Sequence, residues 1–99
     1  MDKSVVLCFE NQSYAILPDM RLICEIEDEL GGIVSLVDRF THQQWKVSEL
    51  VALVHMMLAA SGQTADYIAL GNEMMKHGLE SYLAAALRFL KQSLGFASA

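Results

Sequence analysis

The chain has 99 residues, 54 % of them hydrophobic without counting glycine, a higher share than the roughly 45–50 % of an ordinary globular chain with glycine counted. That excludes a disordered chain and predicts one domain spanning 1–99, with more apolar surface than one small core hides. Seven Lys+Arg against twelve Asp+Glu, a net charge of −5, argue against a nucleic-acid binder, and two cysteines with one proline exclude a disulfide scaffold or a proline-rich linker.

Residues 4–17 read as a β-hairpin. Val5, Leu7 and Phe9 alternate with Val6 and Cys8, a period of two in β-branched and apolar types. Glu10-Asn11-Gln12-Ser13 is a polar turn without the favoured Asn-Gly pair, and Tyr14-Ala15-Ile16-Leu17 forms the return strand. Both faces are apolar, so the hairpin has to pack on helices or pair with another strand. Pro18-Asp19 opens a helix over about 19–30, with Ile23, Ile26 and Leu30 on one face and Glu25, Glu27, Asp28 and Glu29 around the rest. Gly31-Gly32 should break it, because each glycine costs about 1 kcal/mol in a helix interior. The apolar period runs on almost in phase, so one continuous helix to residue 40 is the competing expectation. A second helix follows over about 33–40, and residues 41–46 read as loop.

Ser48 is the expected N-cap of a third helix over about 49–60, apolar nearly all round and therefore buried on most sides. Thr64 is the expected cap of a fourth, about 65–77, which Lys76, His77 and Gly78 close. A fifth runs over about 79–94 with a Leu79, Leu83, Ala86, Leu90 seam, and Phe96 to Ala99 read as a frayed tail. The fold class is therefore α+β: an N-terminal hairpin followed by a bundle of about five short helices.

No residue pattern carries catalysis. His42, His55 and His77 lie in three different elements, and Cys8 and Cys24 are not paired at metal-ligand spacing, so neither a metal nor an organic cofactor is expected. The two thiols are expected reduced and packed as small hydrophobes. There is no Gly-x-Ser-x-Gly and no phosphate loop, and the chain reads as a non-enzyme. The acidic run at 25–29 reads as a solvated face, with an acidic docking face as its alternative. No apolar run is long enough to cross a bilayer, and no signal peptide is visible, so a cytoplasmic location is expected. Met56, Met57, Met74 and Met75 sit in successive helices, either filling the core or forming a pliable surface for a guest helix. Trp45 is either a lid on the core or an interface anchor. Candidate partner-binding residues are Val5, Leu7 and Phe9 on the hairpin, for self-association, Met56, Met57, Met74 and Met75 for a guest, and Trp45 as an interface anchor.

Several segments in order carry a family resemblance. They are the hairpin with Tyr14, Glu25-Ile26-Glu27-Asp28-Glu29-Leu30-Gly31, Leu36-x-x-Arg39-Phe40, Val47-Ser48-Glu49-Leu50-Val51, Leu58-Ala59-Ala60-Ser61-Gly62 and Gly78-Leu79-Glu80-Ser81-Tyr82. Over residues 4–94 this order resembles the small proteins encoded among the tail genes of gene transfer agents and related phages and prophages. The resemblance implies a non-enzymatic, chaperone-like tail assembly factor that binds other tail proteins. It also admits a structural subunit of the tail tube or connector, incorporated in a virion-like particle. An acidic helical regulatory domain is the reading outside any tail context.

Overall fold

Alternation along the first strand decides how the chain starts. In the computed structural model, which describes residues 4–95, β1 (Val5–Phe9) buries every second residue. It pairs antiparallel with β2 (Gln12–Ile16) in a two-stranded sheet, in register Val5↔Ile16, Leu7↔Tyr14 and Phe9↔Gln12. Val5, Leu7, Phe9 and Ile16 face the helices, and Val6, Cys8, Ser13 and Ala15 face away. The turn residues Glu10 and Asn11 both have left-handed backbone, φ 52° and 63°. A two-residue loop matched to strand twist needs that conformation, here without glycine.

Five helices follow: α1 (Met20–Leu30), α2 (Ile33–Thr41), α3 (Val47–Ala60), α4 (Tyr67–His77) and α5 (Glu80–Ser93). Hairpin first and helices after it make an α+β protein, as the periodicities predict. α3 is the hub. It packs against α1, α4, α5 and β2, and buries Leu50, Val51, Leu53, Val54, Met57 and Leu58. That is why its sequence is apolar on nearly every side. α5 packs on α2, α3 and β1 through Tyr82, Ala85, Ala86, Phe89 and Leu90. All these residues join a single core cluster with Ile26, Ile33, Leu36, Phe40, Leu70 and Met74.

Gly31 and Gly32 separate α1 from α2. Gly31 has φ 93°, a conformation glycine adopts without strain, and its N–H closes α1 on the Glu27 carbonyl. The chain turns there, so that Ile33, Leu36 and Phe40 enter the core beside Leu22 and Ile26. Polar side chains tie the junction. The Glu27 carboxylate accepts from the Ile33 N–H at 3.0 Å, capping α2. Arg39 donates to the Leu30 carbonyl at 3.3 Å and to the Glu49 carboxylate at 2.6 Å.

Two caps differ from expectation. α3 starts at Val47, after Lys46 and not after Ser48, because the Glu49 carboxylate reaches back to the Lys46 N–H at 3.0 Å. α4 is capped by Asp66, whose carboxylate accepts from the Ala69 N–H at 3.0 Å, and not by Thr64. Cys8 and Cys24 are exposed thiols and not core fillers, since each falls on the outward row of its element. The tail from Phe96 to Ala99 lies outside the described residues.

Candidate functional site

The structure divides the eight candidate contact residues between core and surface. Val5 and Leu7 are each 1 % exposed, and Phe9 is buried with them. They form the inward row of β1, so the outward hairpin position is Val6, 52 % exposed. Met57 and Met74 are fully buried: each methionine pair splits, one member inward and one outward, because neighbours on a helix point about 100° apart. Met56 is half-buried and Met75 exposed. Trp45 is half-buried and meets Phe40 edge-to-face at 5.9 Å, sealing the α2–α3 connection.

Among the described residues the exposed large hydrophobic side chains other than Val34 fall into two apolar regions, and polar clefts lie beside them, two of which hold titratable candidates of the sequence reading. One apolar region is the outward hairpin face with the start of α1, where Val6, Leu17 and Met20 are exposed. The other is a groove of about 200 Å³ between α3 and α4, lined by Val47, Val51, Tyr67, Ile68, Gly71 and Met75. Of its lining only Met75 is among the sequence candidates. The legible signal for the rest was the outer row of α4, where Ile68, Gly71, Asn72 and Met75 recur at three and four residues.

Tyr67 also borders the first polar cleft, about 430 Å³, which lies between α1 and α3 and is lined by Glu25, Asp28, Glu29, Ala52, His55 and Met56. The Tyr67 hydroxyl donates to the Ser48 carbonyl at 3.0 Å, and its ring meets the His55 imidazole edge-on at 6.0 Å. His55 Nε2 donates to the Ala65 carbonyl at 2.8 Å, fixing the α3–α4 loop. This histidine is therefore a structural strut on the half-exposed side of α3.

The second polar cleft, beside the hairpin turn, holds Cys8, Glu73, His77 and Tyr82. His77 Nε2 is engaged by Glu73 at 2.9 Å, and the Cys8 thiol lies 3.6 Å from the Ser13 hydroxyl. The thiol's contact is thus with a hydroxyl and not with the imidazole that would act as its base. Burial pushes the Tyr82 phenol above its ordinary value, with Glu73 and Cys8 adding to the rise. The Arg39 hydrogen bond holds Glu49 below the usual carboxylate range against the opposing effect of partial burial, with the Lys46 N–H assisting. Among the described residues no three His, Cys, Asp or Glu side chains gather as a metal site, and no helix is long and apolar enough to cross a membrane.

The family model for the phage tail tube protein, GTA-gp10, matches residues 2–95. The chain belongs to this family. The match takes in the hairpin and all five helices, so both apolar regions lie inside the family's own extent. No curated protein and no solved structure matches the chain. Membership in the tail tube family gives the protein a tail-related structural role and agrees with the gene-transfer-agent resemblance of its ordered segments.

Proposed function

We propose that the protein is a structural subunit of a phage-type tail tube or its connector. It would be held in place by contact with other tail proteins and with copies of itself. The single observation that carries this reading is the tail tube family match over residues 2–95. It favours a permanent subunit over a transient assembly factor and over a free-standing regulatory domain. In this reading the protein performs no reaction and binds neither nucleic acid nor membrane, and it passes from the cytoplasm into the particle.

Self-association is assigned to the outward hairpin face. Val6, Leu17 and Met20 are exposed there, and each strand has a single neighbour, leaving an edge able to pair with another chain. Val6→Lys should lower the oligomer size in light scattering while the helical circular dichroism signal stays intact. A wild type that is already monomeric at high concentration removes self-association from the reading.

The second reading, a chaperone-like assembly factor, draws support from the open apolar groove at Val47, Ile68 and Met75. Mass spectrometry of purified particles separates the two. A structural subunit is present in stoichiometric amount, whereas an assembly factor is required for tails but missing from them.

A further inference from the structure

The α3–α4 groove is shaped by a glycine that the stability of α4 does not call for. Four of the eight large hydrophobic residues exposed among the described residues, Val47, Tyr67, Ile68 and Met75, stand around it. Its floor is the buried Val51, and position 71 of α4, which lies over it, is glycine. Glycine in a helix interior is costly relative to alanine. Gly71 has no left-handed backbone to justify it. A Cβ placed there would meet only the Val51 methyl groups, at 3.5 and 3.6 Å, which is ordinary contact. What a side chain at 71 would take away is the space over Val51, which is the groove itself.

The Tyr67 ring lines both the groove and the acidic cleft, so the two are neighbours on one surface. Glu25, Asp28 and Glu29, at i, i+3 and i+4 on α1, are exposed along it, and none forms an ion pair among the described residues. Exposed Lys46 and Lys76 are the chain neighbours of the groove residues Val47 and Met75. An occupant complementary to this surface is apolar along one stripe and carries positive charge on the edge nearest Tyr67.

We propose that this joined surface docks an amphipathic helix of a partner protein. Its apolar anchors would enter the α3–α4 groove, and its Lys or Arg residues would lie against Glu25, Asp28 and Glu29. Helix-in-groove recognition reads anchors at three- and four-residue spacing, and opposite charge along the rim fixes the orientation. Helix α5 of a second copy does not supply such a face. α5 carries Arg88 and Lys91, but its apolar row from Tyr82 to Leu90 is buried in its own core. The proposal goes beyond the tube-subunit reading and holds whether the protein remains in the tail or leaves it.

The probe is a synthetic leucine/lysine peptide patterned as an amphipathic helix of about 15 residues, long enough to hold a helix once docked. It is titrated into the full-length protein by calorimetry, beside a leucine/glutamate peptide of the same pattern. The lysine peptide should bind one-to-one, at least about tenfold more tightly than the glutamate peptide. Ile68→Glu, at a position 66 % exposed, should keep the fold and weaken binding about tenfold or more. The combined Glu25→Gln, Asp28→Asn, Glu29→Gln variant should weaken it severalfold and flatten its salt dependence. Gly71→Ala separates structure from docking: it should melt about 3–6 °C higher while binding the peptide less well. Equal affinity in wild type, Ile68→Glu and Gly71→Ala would reduce the effect to bulk charge attraction and overturn the proposal. So would failure of the lysine peptide to bind, or a self-association of the protein alone that Ile68→Glu abolishes, which would give the groove to a second copy.

Discussion

Arg39 joins three helices, and replacing it with methionine tests whether that junction holds the fold. Methionine keeps an apolar stem in place and removes the guanidinium. Two contacts disappear: the 2.6 Å bond to Glu49 at the start of α3 and the 3.3 Å bond to the Leu30 carbonyl at the end of α1. A hydrogen bond to a charged group contributes about 1.5–3 kcal/mol when well shielded. Here the Arg39 and Glu49 side chains are 29 % and 18 % exposed, so water screens part of that. We expect a loss of about 1.5–2 kcal/mol, which for a domain of this size lowers the melting temperature by about 6–16 °C. The loss should depend on pH in one direction. Glu49 has its folded-state pKa lowered from an ordinary 4.5, principally by the Arg39 hydrogen bond. The stabilisation from that pair is therefore complete above the ordinary value and is lost as pH falls through the folded one. Thermal unfolding followed by circular dichroism at neutral pH and at about pH 3 reads both effects. The gap between wild type and Arg39→Met should be full at neutral pH and narrower in acid, as protonation of Glu49 weakens the pair. A neutral-pH gap below about 2 °C, the range of a plain surface substitution, refutes the junction. A gap unchanged in acid refutes the assignment of the energy to Glu49.

Met74→Glu should unfold the protein, because it places a carboxylate at a fully buried position, whereas Met75→Glu at the adjacent exposed position should leave the urea midpoint within experimental spread. Replacing Glu10-Asn11 by Asn-Gly should stabilise the hairpin by about 1 kcal/mol, read as a higher urea midpoint, since both positions have left-handed backbone that Glu10 adopts at a cost. Cys8 and Cys24 should both react with a thiol reagent in the native state, within the rate range of exposed model thiols. Slow, unfolding-limited labelling of either would return that thiol to the interior.

The α+β order was legible because the period of two in Val5 to Phe9 and the periods of three and four beyond Asp19 reflect backbone geometry, which local sequence controls. The break at Gly31-Gly32 was legible for the same reason, since the left-handed backbone at Gly31 is a local demand. The caps at Asp66 and Lys46 were harder. Several polar residues precede each helix, and the one whose neighbours complete the hydrogen bonds wins, as Glu49 does for α3. The candidate contact surface was legible as an excess of apolar residues and, on α4, as the outer row of Ile68, Gly71, Asn72 and Met75. Alternation shows that Leu7 and Val6 lie on opposite faces but not which face meets the helices. That sign was set when α5 packed on β1 and α3 on β2. Likewise a Met-Met pair must split between two directions, and only the packing of α4 on α3 turned Met74 inward and left Met75 beside Ile68 on the groove. The elements, their order and the surplus of apolar surface follow from local residue pattern. The tertiary structure decided which part of that surplus remained outside, because burial belongs to the contact between elements and not to either element alone.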